Sequence, residues 1–170
     1  MRMRLIAVSA AALLLGGQAH AVPKRVFDAL TGCWQVHGAV RGQAAHQLAK
    51  GGWTLGGKYF LLQLAALPPD KPYQAAIFVG TDDHGQVVAH WLDVFGGEYS
   101  KTLGRGSETA DGLDLTFDYP DGPTRNRVSL LPGGRWRMLV TETPKGQAER
   151  VFSDYELTPA ACPAAGVFAF

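Results

Sequence analysis

The chain has 170 residues, 16 lysines and arginines against 15 aspartates and glutamates, and 46% hydrophobic residues. That near-neutral balance argues against nucleic-acid binding, which needs a clustered basic face. Its two cysteines, Cys33 and Cys162, form no CxxC redox motif.

Residues 1–21 read as a cleaved signal peptide. Arg2 and Arg4 form a positive start, residues 5–15 are apolar but too short to span a bilayer, and Ala19-His20-Ala21 is a small-x-small cleavage site. Cleavage before Val22 leaves residues 22–170 as a single domain, large enough for a real core. No later segment reaches the length of a transmembrane helix. The expected location is periplasmic or secreted. In that oxidising compartment Cys33 and Cys162 are expected to pair. The closed loop, about 130 residues, is worth on the order of 4–5 kcal/mol in the chain-entropy model.

Residues 24–31 suit one or two helical turns, with Val26, Phe27 and Leu30 on one side and Gly32 as the stop. Strands follow over 33–40, 47–55, 58–67, 73–81, 87–95, 99–105, 113–119, 124–131, 135–143 and 148–158. Glycine, proline and aspartate turns separate them, among them Gly56-Gly57, Asp111-Gly112 and Pro120-Asp121-Gly122-Pro123. The clearest strand is 113–119: Leu113, Leu115, Phe117 and Tyr119 alternate with Asp114, Thr116 and Asp118. Ten strands joined by short turns predict an all-β, antiparallel up-and-down barrel behind a short N-terminal helix. Closure is favoured because the first and last strands would otherwise be bare edges. It also brings Cys33, which opens the first strand, to Cys162, which follows the last. The apolar tail, 159–170, is expected to pack across the barrel mouth.

Three segments carry a resemblance. Gly32-Cys33-Trp34 after a short helix resembles the start of calycin barrels: lipocalins, fatty-acid-binding proteins and nitrobindin-like proteins. Trp53-Thr54-Leu55-Gly56-Gly57-Lys58-Tyr59-Phe60, then His90-Trp91-Leu92-Asp93-Val94-Phe95-Gly96, then Phe117-Asp118-Tyr119-Pro120-Asp121-Gly122 look like a bacterial family of lipocalin-like domains of unknown function. The resemblance covers residues 30–157 and implies a β-barrel with a central cavity and no assigned reaction. By the same analogy Trp34 plugs the closed end. Nitrobindin-like relatives hold haem through a histidine on a late strand. No histidine follows His90 here, so no cofactor is implied.

Strand parity then sorts the side chains. The turn at 120–123 sets Tyr119 opposite Thr124 and Asp118 opposite Arg125, an outward ion pair. Leu113, Leu115, Phe117, Asn126, Val128 and Leu130 fall inside; Arg125 and Arg127 fall outside. For 99–105, one register turns Tyr99, Lys101, Leu103 and Arg105 inward. The other, preferred because it avoids Glu108 facing Asp114, turns Ser100, Thr102, Gly104 and Gly106 inward and leaves room for a ligand. On 87–95, Trp91, Asp93 and Phe95 share one face, and Val88, His90, Leu92 and Val94 the other. Either Asp93 or His90 therefore looks into the barrel. Trp136, Met138 and Val140 form the core face of 135–143.

The candidate ligand-binding residues are Trp91, Asp93, Phe117, Asn126 and Trp136, and the expected partner is a small hydrophobic or amphipathic molecule. An isomerase or cyclase using Asp93 or His90 as acid or base is the second reading, and a packed protein- or glycan-binding barrel the third. An outer-membrane barrel, suggested by the terminal Phe170, fits poorly with a strand that is charged on one face and aliphatic on the other. Asp82-Asp83-His84 lies where a turn calls for such residues. HExxH, Gly-x-Ser-x-Gly and phosphate-loop motifs are absent.

Overall fold

The computed structural model describes residues 24–163 and 166–168, so the signal-peptide reading of 1–21 lies outside the described residues. Helix α1 (Lys24–Leu30) precedes β1 (Gly32–Val40), β2 (Gln43–Thr54), β3 (Tyr59–Ala66), β4 (Gln74–Thr81) and β5 (Val87–Asp93). After a 3-10 turn (Tyr99–Lys101) come β6 (Leu103–Glu108), β7 (Gly112–Tyr119), β8 (Gly122–Leu131), β9 (Arg135–Glu142) and β10 (Arg150–Ala160). Each strand pairs antiparallel with its sequence neighbours, and β1 pairs with β10. The result is the expected closed ten-stranded meander, with no free sheet edge.

Apolar alternation decides which face is inside. Val36, Ala49, Leu64, Ala89, Phe117, Met138 and Leu157 point inward and are almost completely buried. The two ends of the barrel differ. At the end where β1 begins, α1 lays Phe27 against Phe60 (ring centroids 5.1 Å apart) and Trp53 (5.8 Å). The Trp34 indole N–H donates to the Leu30 carbonyl at 3.0 Å, fixing the helix to the first strand. Cys33 and Cys162 are bonded at this same end, with their Cα atoms 5.0 Å apart. The far end carries the β1–β2, β3–β4, β5–β6, β7–β8 and β9–β10 connections.

The β7–β8 register departs from expectation by two residues. Tyr119 pairs with Gly122, not Thr124, because Pro120 and Asp121 alone make the turn and Gly122 (φ 138°) takes the first paired position. An even shift leaves every side chain on its own face. Asn126 therefore stays inside and Arg125 outside, but the ion pair changes partner. Arg125 now lies opposite Thr116, and its Nε donates to Asp114 Oδ1 at 2.7 Å. Leu130, expected inside, is 44% exposed because it sits near the strand's end.

Four further expectations are corrected. Residues 99–101 turn as a 3-10 helix, so β6 starts at Leu103. Gly104 and Gly106 do face inward, but Gly104 leaves no ligand space: a Cβ there would stand 2.5 Å from the Phe117 ring, which covers the glycine. The tail does not cross the mouth in its described part. Gln63, outward on β3, donates to the Phe168 carbonyl at 3.3 Å, so residues 166–168 lie on the outer wall. Finally, β2 begins at Gln43 rather than at 47, because Arg41 (φ 48°) and Gly42 (φ 77°) form a two-residue hairpin turn.

Candidate functional site

The far half of the interior is where polar groups collect. Strand β5 ends with Val87, Ala89, Trp91 and Asp93 on its inner face. This resolves the choice the sequence left open: Asp93 looks in and His90 looks out, where its ring Nε2 lies 2.7 Å from the Ser100 carbonyl. An acid or base role on this strand would fall to Asp93.

Tyr73, just before β4, joins the two. Trp91 Nε1 donates to the Tyr73 hydroxyl at 3.2 Å, and that hydroxyl approaches Asp93 Oδ2 at 3.4 Å. The other carboxylate oxygen, Oδ1, accepts the Phe95 amide at 2.9 Å, which fixes the rotamer. Burial, reinforced by the Asp93 charge, pushes the Tyr73 phenol far above its ordinary value, so it remains a donor. Tyr119, raised to about 12 by burial and then by the same carboxylate, is likewise neutral. Phe117 stacks on Tyr119 (5.6 Å, 9°) and meets Trp91 edge to face (6.4 Å). Tyr99 stands against Tyr119 at 5.1 Å, and its hydroxyl donates to Asp121 Oδ2 at 3.2 Å. A belt of aromatic rings thus surrounds one inward carboxylate.

Deeper in the wall are two amides. Asn126, between Leu115 and Val140, is 4% exposed and its Oδ1 has no partner among the described residues. Gln47 is equally buried. Its Nε2 donates to the Tyr155 hydroxyl at 3.1 Å, spanning β1 at Gly38, while its Oε1 is also unpartnered. Burial raises Tyr155 to about 12, so its own proton remains available to an acceptor. Unpaired acceptors in an apolar wall cost free energy unless a donor reaches them.

Of the residues singled out in the sequence, Trp91, Asp93 and Phe117 come together at the far end, and Asn126 faces the interior of the wall. Trp136 also points inward and is fully buried, but it lies one residue from the start of β9, toward the helix-capped end. Sequence reasoning passed over Tyr73, Gln47 and Tyr155. Parity marks Tyr155 as inward once β10 is placed, but Gln47 is 108 residues away from it and nothing local signals the bond. Asp82 is a turn residue, as expected: its Oδ1 accepts the backbone amides of His84 and Gln86, both at 2.9 Å. Among the described residues no group of histidine, cysteine, aspartate and glutamate gathers to hold a metal.

Fold and site together define a closed antiparallel barrel with an apolar, helix-capped half and an aromatic, hydrogen-bonding half. No protein-family model matches the chain, and no curated protein matches it.

Proposed function

We propose that this chain is an exported, lipocalin-like barrel that holds a small, partly apolar ligand in its far half. The observation that carries this reading is Asn126: a buried carbonyl oxygen without a partner among the described residues, on the inner wall between Leu115 and Val140. Binding sites combine an apolar lining with a few convergent polar groups, and Asp93, Tyr73 and Gln47 supply the rest. Export is supported by the sequence of residues 1–21 and by the Cys33–Cys162 bond, which suits an oxidising compartment. The resemblance to calycins supports the same reading.

The test is native mass spectrometry of protein purified from its host without denaturation, paired with 15N NMR of the tryptophan indoles. The expected result is a retained small molecule and a Trp91 indole N–H that shifts when it is stripped. A bare polypeptide mass, with no Trp91 shift on screening a fragment library, would remove the ligand-binding reading.

A further inference from the structure

Resting on that reading, the lining points to the chemical class of the ligand. Among the described residues, the fully buried side-chain atoms that lack a partner on the inner wall of the far half are both acceptors: Asn126 Oδ1 and Gln47 Oε1. The charge there is negative. Asp93 has no lysine, arginine or histidine within ion-pairing distance among the described residues, and the same holds for Asp121 at the rim. Of the basic groups at this end, Arg41 and Arg150 both bind Glu142, at 3.4 and 2.7 Å, Lys101 binds Glu98 at 2.7 Å, and Lys71 and Lys145 lie in the connections outside the strands. Arg150 is the one basic residue at an inward register position of the ten strands, and it is an exposed rim residue. Below the rim the inner wall is without a cation.

We propose that the ligand is an organic amine, its protonated nitrogen seated at Asp93 between Tyr73, Trp91 and Tyr119, its apolar body passing Phe117 into the barrel. Three observations converge on this. A carboxylate aimed inward, without a basic partner, repels an anionic head and attracts a cationic one. The rings beside it, Trp91, Tyr73 and Tyr119, are the groups that stabilise ammonium ions through their faces. The unpartnered Asn126 oxygen, independent of the acidic groups, asks for an N–H or O–H donor and cannot serve a carboxylate.

Three probes of one skeleton separate the possibilities: 3-phenylpropylamine, 3-phenylpropanol and 3-phenylpropionate, titrated calorimetrically into the full mature protein at pH 7. The amine is expected to bind about tenfold more tightly than the alcohol, and the carboxylate more weakly than either. In Asp93→Asn the amine should lose about that tenfold and the alcohol should change little. Equal binding of amine and alcohol, or tighter binding of the carboxylate, overturns the amine assignment while leaving a ligand-binding barrel in place. Failure of all three to bind, with no Trp91 indole shift, takes down the amine assignment and the reading it rests on together. The wild-type comparison decides the head group even where Asp93→Asn folds poorly.

Discussion

A buried amide oxygen with no donor costs roughly 1–3 kcal/mol, and Asn126 and Gln47 place two of them inside one barrel. On the proposed function, a ligand donor at Asn126 offsets that cost. The consequence at Asn126 is a separation of stability from binding. Asn126→Leu replaces an unpaired amide by an apolar group of similar size, so it is expected to leave the urea-unfolding midpoint unchanged or raise it, while weakening ligand retention. Tyr155→Phe should behave oppositely. It removes the acceptor for Gln47 Nε2, strands a second buried polar atom, and lowers stability by about 1–2 kcal/mol. Urea titrations of both variants decide the matter: a destabilised Asn126→Leu would mean that the amide is part of the packed structure.

The β7–β8 hairpin shows how a secondary-structure element carries both the fold and the site. Its inner face holds Phe117 and Asn126; its outer face holds Asp114 and Arg125. The alternation of 113–119 made those faces legible in the sequence. The exact pairing was not legible, because a proline-flanked turn admits loops of two or four residues with the same parity, and only tertiary packing selects between them. Nor was the role of Gly104: the letter says small, and only the structure shows that the Phe117 ring fills the space. The Tyr73–Trp91–Asp93 contact was half legible, since Trp91 and Asp93 share a face by spacing, while Tyr73 arrives from a loop that has no period. The corrected ion pair predicts a pH effect. The Arg125 hydrogen bonds hold the Asp114 carboxyl below its usual range. A carboxylate with a lowered native pKa adds stability above its unfolded value, near pH 3.9, and loses it as pH falls through the native value. The stability gap between the wild type and Asp114→Asn should therefore be present at pH 7 and close progressively below about pH 4. Urea midpoints at pH 7, 4 and 2.5 measure it, and a gap that persists at the lowest pH would show that Asp114 acts through packing instead.

At the scale of the molecule, the disulfide-bonded seam and the candidate site lie at opposite ends. Strands β1 and β10 are the first and last of the sheet, and their pairing is the most non-local strand pairing of the barrel. The Cys33–Cys162 bond, which joins residues 129 apart, restrains that seam at the helix-capped end. There it sits beside Trp34 and α1, while the Tyr73–Trp91–Asp93 group lies across the barrel at the other end. A long loop closed covalently lowers the entropy of the unfolded chain, so Cys33→Ser/Cys162→Ser should lose about 2–4 kcal/mol of unfolding free energy. The native pairing of β1 with β10 does not depend on the sulfurs, because backbone hydrogen bonds run the length of both strands. Far-UV circular dichroism should accordingly remain that of the barrel. Distant sites without shared partners act independently, so the Trp91 indole resonance and the affinity for 3-phenylpropylamine should match the wild type once the folded fraction is equal. A serine variant that keeps its dichroism but shifts the Trp91 resonance would show that the seam and the aromatic end are one cooperative unit, and that the disulfide sets the shape of the site as well as the stability of the barrel.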